Sequence, residues 1–360
     1  MKLFLENGST IVGTSFGKDI ESEGEVVFTT GMTGYLEILT DPSYYGQIVV
    51  FTYPLIGNYG VFPQTPSGLT KDKKIDIDAV YESSKIWVKG VILTEYSENF
   101  SHAKAKVGFA EWLKKNNIPA LSGIDTRALT QVIRERGVLL GKIGNTKPQK
   151  FEDKLKGRFV PEVSPKKIEI LEPPKPCGKT IAFMDCGAKN GIFRNFLKRG
   201  VRIIRLPFDA NPFKLKHKFD GIFFSNGPGD PAPMHETIAI AKEAIKRNTP
   251  LFGICLGNQI LALAAGGKTR KMKYGHRGVN QPVQDIKSGK CFITTQNHGY
   301  EVEEKTLPKE FEPWMRNLND GSNEGIQHKS KPFFSVQFHP EACAGPEDAQ
   351  FLFDKFIACL

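Results

Sequence analysis

At 360 residues the chain is long enough for two domains rather than one. A hydrophobic share of 40% and a charged share of 24% are ordinary for a globular protein, and no run of 18 apolar residues is present to span a membrane. The net charge is +10, but the basic residues are scattered (Lys71-Asp-Lys-Lys74, Lys166-Lys167, Arg270-Lys-Met-Lys273) and no nucleic-acid-binding motif accompanies them, so a solvated surface or an acidic partner protein accounts for them better than nucleic acid.

Met1-Lys-Leu-Phe-Leu-Glu-Asn-Gly reads as a strand entering an Asn-Gly turn and lacks the apolar core and cleavage site of a signal peptide. Residues 1–150 read as mostly β, with strands at Leu3–Leu5, Thr10–Val12, Glu25–Thr30, Gln47–Tyr53 and Ile86–Thr94. Two helices are expected there. One covers Phe109–Asn116, and the other covers Asp125–Arg136 with Asp125 as N-cap and Gly137 as stop. Residues 151–178 read as a linker, clearest at Glu172-Pro-Pro-Lys-Pro-Cys-Gly178.

From 179 to 360 strands and helices alternate. Strands are expected at Thr180–Met184, Val201–Leu206, Phe219–Ser225, Leu251–Ile254, Cys291–Thr295 and Pro332–Phe338. Helices are expected at Gly191–Arg199, Met234–Lys246, after Cys255, and at the end, where Phe353, Phe356, Ile357 and Leu360 fall at i, i+3, i+4 and i+7. The class is α/β: a mostly parallel C-terminal sheet flanked by helices, preceded by a smaller β-rich α/β domain. The six cysteines form no C-x-x-C pair and no regular framework, which points to a reducing cytoplasm without structural disulfides or zinc.

Leu251-Phe-Gly-Ile-Cys255-Leu-Gly-Asn-Gln259 carries the chemistry. An apolar strand runs into a tight turn with Cys255 at its apex and a helix beneath the sulfur. That is how a nucleophile is exposed and its thiolate favoured. Phe223-Phe-Ser-Asn-Gly-Pro-Gly-Asp230 is a strand entering a Gly-Pro-Gly loop, Thr295-Gln-Asn-His-Gly-Tyr300 reads as a polar turn, and Phe334-Ser-Val-Gln-Phe-His-Pro-Glu341 is a strand ending in His-x-Glu. Active sites gather at the carboxyl ends of parallel strands, so Cys255, Gly227 and His339 can meet. His339 can move the proton, Glu341 can orient the imidazole, and the N–H groups of Leu256 and Gly227 can hold an oxyanion. Cys177, Cys186, Cys291, Cys343 and Cys359 are read as structural, and so is His298. His102, His217, His235, His276 and His328 receive no role.

These segments resemble the class I, triad-type glutamine amidotransferases. In the first domain, Thr30-Gly-Met-Thr-Gly-Tyr-Leu-Glu-Ile-Leu-Thr-Asp-Pro-Ser-Tyr44, Thr52-Tyr-Pro-Leu-Ile-Gly-Asn58 and Gly123-Ile-Asp-Thr-Arg127 are similar to the small subunits of carbamoyl phosphate synthetases. The resemblance covers essentially the whole chain. It implies a glutaminase with the triad Cys255, His339 and Glu341, and glutamine contacts at Ser43, Gly227, Gly229, Leu256, Gln259, Asn297, Gly299 and Tyr300. It further implies ammonia transfer to a large synthetase subunit, which uses ATP, Mg and bicarbonate to make carbamoyl phosphate for arginine and pyrimidine synthesis. No cofactor is implied for this chain. One departure is Asn258, where the family usually has His after Cys-Leu-Gly. A different class of reading is a stand-alone cysteine hydrolase of peptides or γ-glutamyl compounds, and a third is a silent docking subunit. The intact Cys, His and Glu argue against the third.

Overall fold

The computed structural model describes residues 1–72, 75–151 and 159–360. Lys73 and Lys74 of the first basic run and residues 152–158 of the expected linker lie outside the described residues.

Two sheets carry the chain. The first is built from β1 (Lys2–Leu5), β2 (Thr10–Val12), β3 (Thr14–Ser15), β4 (Ser22–Thr29), β5 (Gln47–Phe51), β6 (Gly90–Ile92), β7 (Ala120–Ser122) and β8 (Leu139–Gly144), in the order β2-β1-β8-β4-β5-β6-β7-β3. The run β4-β5-β6-β7 is parallel and the remaining pairs are antiparallel. Parallel neighbours need crossovers. Three helices lie between these strands: α1 (Tyr35–Thr40), α2 (Phe109–Lys115) and α3 (Thr126–Arg136). Asp125 caps α3 by accepting from the Ala128 N–H at 2.9 Å, and Gly137 ends it with φ 95.

Two expectations need correction here. Helix α1 was not expected, because six residues are too few to show a helical period. The expected strand Ile86–Thr94 pairs only over Gly90–Ile92, and just before it the Trp87 N–H bonds the Leu39 carbonyl of α1 instead of a strand neighbour.

The second sheet has ten strands: β9 (Glu169–Leu171), β10 (Thr180–Asp185), β11 (Arg202–Pro207), β12 (Gly221–Phe224), β13 (Leu251–Ile254), β14 (Thr269–Asp285), β15 (Cys291–Val302), β16 (Phe311–Asn317), β17 (Asn323–His328) and β18 (Phe333–Val336). Its order is β15-β14-β16-β17-β18-β13-β12-β10-β11-β9. The five strands β11-β10-β12-β13-β18 are parallel; β10, β12, β13 and β18 are almost wholly buried and mostly apolar, as strands covered on both faces must be, while β11, next to the edge, carries Arg202 and Arg205. Strand β9, from within the segment read as linker, adds an antiparallel edge on β11. At the other side β17, β16, β14 and β15 extend the sheet antiparallel. Helices α4 (Val160–Val163), α5 (Asn190–Lys198), α6 (His235–Lys246), α7 (Leu256–Ala265) and α8 (Phe351–Ala358) complete the fold.

One face of this sheet is packed by phenylalanines. Phe183, Phe196, Phe223, Phe252, Phe353 and Phe356 are fully buried in one cluster. Phe353 of α8 meets Phe196 of α5 edge to face at 5.0 Å. Phe353→Ala would leave a cavity under the sheet and is expected to cost ~3–5 kcal/mol, read as a fall in the urea midpoint; a change near zero would mean that α8 does not hold the sheet.

Candidate active site

β12, β13 and β18 are neighbours, so the segments leaving their carboxyl ends emerge side by side. Cys255 follows β13 with φ 55 and ψ −103, a conformation that non-glycine residues seldom adopt, and α7 begins at the next residue. The turn closes because its flanks lack a Cβ. One on Gly253 would lie 2.5 Å from the Gly257 carbonyl oxygen, and one on Gly257 would collide with the Phe224 carbonyl of β12. The buried sulfur therefore sits over the N-terminus of α7, 3.7 Å from the Asn297 carbonyl. A Cβ on Gly227 would strike the Cys186 carbonyl and lie 2.8 Å from Leu256 Cδ2. The loop after β12 thus rests directly on the first residue of α7, whose N–H is among those a helix start leaves unpaired.

His339 is anchored by its own N–H, which donates to the Thr295 carbonyl at 2.8 Å. Its Nδ1 lies 2.6 Å from Glu341 Oε1. Glu341 also accepts from Lys189 Nζ at 3.2 Å, and all three side chains are buried. Burial disfavours the imidazolium, but the Glu341 carboxylate outweighs it and the nearby Cys255 thiol adds to the effect, so His339 is held well above the usual imidazole range. Glu341 is correspondingly held low: burial opposes its charge, and Lys189 and then His339 overcome that. The His339 Nε2 has no well-formed hydrogen bond among the described residues. Lys189 was not anticipated. It stands just beyond β10, so the strand-end rule that located Cys255 and His339 could have found it.

Ser43 comes from the first domain. It lies in a short 3-10 turn, Pro42–Tyr44, whose cap Asp41 accepts from the Ser43 N–H at 2.8 Å. Asn226 Nδ2 donates to Ser43 Oγ at 2.8 Å, and Asn297 Nδ2 donates to Asp41 Oδ2 at 3.2 Å. Asp41 and Asn226 are further residues that sequence reasoning missed.

Ser43, Gly227, Gly229, Cys255, Gln259, Asn297, Gly299 and Tyr300 all line one cleft between the two sheets. Leu256 lies beneath Gly227. Residues Thr295 to Tyr300 are not the expected turn; they lie inside the long strand β15, where the polar run is extended by pairing with β14 across two register shifts. The pleat puts Asn297 and Gly299 on one face. Unanticipated lining residues include Arg277, whose guanidinium is buried and bonds the Tyr274 carbonyl at 2.7 Å, and the Lys271–Glu25 ion pair at 2.9 Å. Asn258 is fully buried away from the sulfur: its Nδ2 donates to Gln337 Oε1 at 3.1 Å and its Oδ1 accepts from Ser335 Oγ at 2.8 Å.

Residues 3–143 match the family model described as carbamoyl-phosphate synthase small chain, CPSase domain, and residues 182–359 match the model described as glutamine amidotransferase class-I. The chain is 44% identical over 361 residues to the carbamoyl phosphate synthase arginine-specific small chain of Saccharomyces cerevisiae, covering 98% of this chain and 87% of that one. The chain belongs to the carbamoyl-phosphate synthase small-chain family. Longer proteins contain a similar stretch. The multifunctional protein pyr1-3 of Dictyostelium discoideum is 46% identical over 373 residues, covering 99% of this chain and 17% of that protein. The multifunctional protein CAD of Squalus acanthias is 47% identical over 372 residues, covering 99% and 16%.

On β15, His298, which also borders the cleft, has its Nδ1 3.0 Å from the Tyr300 carbonyl, and burial pushes its imidazole below the usual range. His276, given no role from sequence, sits between Asp320 (2.9 Å) and Glu324 (3.3 Å). Among the described residues His276, His298 and Glu324 form a group with metal-ligand chemistry, their ligand atoms within 4.8 Å. The Asn317 amide nitrogen is 3.3 Å from Glu324 Oε1 and 3.4 Å from His276 Nδ1, so hydrogen bonds already fill the space between them. Burial lowers the basicity of His276, but the hydrogen bonds and charges of Asp320 and Glu324 outweigh it and raise its pKa from 6.5 to about 9. The folded chain therefore keeps a proton that the unfolded chain releases above the ordinary value. The stabilisation is complete below about pH 6.5 and is lost as pH rises through about 9. In thermal melts, the gap between wild type and His276→Gln is expected to narrow from pH 6 to pH 10; a constant gap would mean that His276 is neutral throughout.

Proposed function

We propose that the chain is the glutaminase subunit of a carbamoyl phosphate synthetase. It hydrolyses the side-chain amide of glutamine and delivers the ammonia to a large synthetase subunit, for arginine and pyrimidine synthesis. The observation that carries this reading is the Cys255 turn beside the His339–Glu341 pair, opening on a cleft whose polar lining comes from both domains.

In the proposed reaction the Cys255 thiolate attacks the amide carbon, and the carbonyl electrons move onto an oxygen held by the Leu256 and Gly227 N–H groups. The tetrahedral species collapses to a glutamyl thioester as His339 gives a proton to the departing nitrogen. A water, relieved of its proton by the now neutral imidazole, then cleaves the thioester to glutamate and the thiol. Glu341 keeps the imidazole in orientation throughout, and Lys189 keeps Glu341 charged. Ser43, Gly229, Gln259, Asn297, Gly299 and Tyr300 position the substrate, and the buried guanidinium of Arg277 supplies positive potential for its carboxylate.

ATP, Mg and bicarbonate belong in this reading to the large subunit. The setting is cytoplasmic, which the six unpaired cysteines support; no helix among the described residues is long and apolar enough to cross a membrane. A stand-alone hydrolase of peptides or γ-glutamyl compounds is the competing reading. The contribution of Ser43 to the cleft, from the domain that matches the small-chain family, weighs against it.

Cys255→Ala is expected to reduce glutamine-dependent carbamoyl phosphate synthesis by the complex by at least about a thousandfold, while ammonia-dependent synthesis persists. Normal glutamine turnover in this variant would overturn the assignment, and fast ammonia release by the wild-type chain that ignores a large subunit would favour the independent hydrolase.

A further inference from the structure

His276 and His298 face each other directly across β14 and β15, and the pairing of these strands is irregular on both sides of that point, between Lys271 and His276 and again between Gly278 and Gln281. Glu324 reaches the same place from β17 and is fully buried. His276 Nδ1 lies 3.3 Å and His298 Nε2 3.7 Å from one and the same oxygen, Glu324 Oε1. The outer nitrogens of both rings face groups that only accept: the Tyr300 carbonyl lies 3.0 Å from His298 Nδ1, and Asp320 Oδ2 lies 2.9 Å from His276 Nε2. In a neutral ring the proton therefore sits on the outer nitrogen, and the inner nitrogen turns a lone pair toward the carboxylate. His298 Nε2 meets a further acceptor, Gln296 Oε1, at 3.3 Å. The Gln296 amide is fixed that way round, because its Nε2 donates to Thr294 Oγ1 at 3.2 Å, whose own proton goes to the Gln281 carbonyl at 2.9 Å. Glu324 Oε2 is buried without a hydrogen-bond partner among the described residues. Four buried acceptors thus converge, and what satisfies them together is a cation.

We propose that His276, His298, Glu324 and Gln296 bind one zinc ion with a structural role. Ligand atoms about 2.0–2.1 Å from a tetrahedral zinc stand about 3.3 Å apart. The contacts at 3.3, 3.7 and 3.3 Å are already close to that spacing, and the His276, His298 and Glu324 ligand atoms all lie within 4.8 Å of one another. Two imidazoles with oxygen donors suit zinc, and a closed set of four protein ligands is the form of a structural site. Metal-bound imidazoles are usually held from behind by a carboxylate or a carbonyl, the parts that Asp320 and Tyr300 play here. Asn317 Nδ2 donates to Glu324 Oε1 at 3.3 Å and keeps that bond beside a bound ion. In the ion-free chain a proton on His276 meets part of the same demand; zinc displaces it, so binding weakens as pH falls. Cysteine spacing, which speaks against a thiolate site, has no bearing on one built from imidazole and carboxylate. The ion ties β14, β15 and β17 together beside Asn297 and Gly299, on the wall of the glutamine cleft.

The test titrates zinc chloride into the whole purified chain after chelator treatment, in competition with a chromophoric zinc indicator, and repeats the loading with cobalt to read the geometry. Wild type is expected to bind one zinc per chain, to show the visible bands of four-coordinate cobalt, and to melt at a higher temperature with zinc than without. His276→Gln and Glu324→Gln are expected to weaken zinc binding by more than about a hundredfold. Asp320→Asn keeps the reading independent of how those buried variants fold: it alters an exposed residue that only orients His276, and it is expected to weaken binding by about 10–100-fold. A wild-type chain that takes up no zinc at micromolar concentrations, or the same affinity in all three variants, would overturn the site. So would binding that Cys255→Ala abolishes, which would place the metal on the nucleophile. None of these readings depends on glutamine hydrolysis, so the site and the proposed function fail separately.

Discussion

The left-handed backbone at Cys255 is the constraint on which the site depends. A non-glycine residue at φ 55 and ψ −103 stores strain on the order of 1–3 kcal/mol, so it persists only where the chain on both sides is over-determined. Upstream, β13 is locked between two parallel neighbours, with Gly253 opposite Phe224 of β12 and Ile254 opposite Val336 of β18. At the residue itself the Cys255 N–H continues the ladder to the Val336 carbonyl at 2.9 Å. Downstream, the N–H groups of Asn258 and Gln259 fold back onto the Cys255 carbonyl at 3.0 and 3.3 Å, which starts α7 at once. Relaxing the turn would break this pairing or open the helix start, so the sulfur stays where the strand delivers it.

Buried charge then fixes what surrounds the sulfur. Glu341 accepts from both Lys189 and His339 in a place that water does not reach. Such a group earns little net stability, but removing one partner strands the other charge at a cost of several kcal/mol, typically about 3–5. The same logic ties the two domains together. Arg194 of α5 pairs with Glu82 of the first domain, and Glu82 also accepts from the Gly191 N–H at 2.9 Å. Asp41 reaches Asn297, and Ser43 accepts from Asn226. Slippage between the domains would leave several of these groups unpaired inside the protein. The half of the cleft supplied by Ser43 is thereby held in register with the half supplied by Cys255 and His339.

How much of this was legible in the sequence depended on the range of the signal. The parallel core was legible because its strands are short, mostly apolar runs bounded by glycine or polar turns, and Cys255, Gly227 and His339 could be placed by the strand-end rule. Helix α3 was legible from its caps alone. The long hairpin β14–β15 was legible only at Cys291–Thr295, because its side chains are mostly polar and its two register shifts break the alternation that marks a strand. That is why Asn297, Gly299 and Tyr300 were read in a turn when they line the cleft from inside a strand. Lys189 and Asp41 were missed for another reason. A buried charge is recognised by its partners, and those partners stand far away along the chain: Glu341 for Lys189, Asn297 for Asp41.

Asn258, where the family usually has histidine, bonds into the sheet rather than toward the sulfur. The position faces β18 rather than the sulfur, and what it must supply is one donor and one acceptor: a donor toward Gln337 and an acceptor toward Ser335. A neutral imidazole has one of each, and a side-chain amide also offers both, with an oxygen that accepts and an NH2 that donates. Asparagine meets the same demand with a shorter side chain and no titration, and here both of its bonds have normal lengths in a fully buried setting. Gln337 Oε1 is in turn shared with Gln259 Nε2 at 3.2 Å, which also donates to the Tyr300 carbonyl at 3.0 Å. The amide at 258 therefore belongs to the bracing of the cleft wall, three hydrogen bonds removed from the Tyr300 carbonyl. A change at this position should be felt in how glutamine is held before it is felt in how its amide is cut.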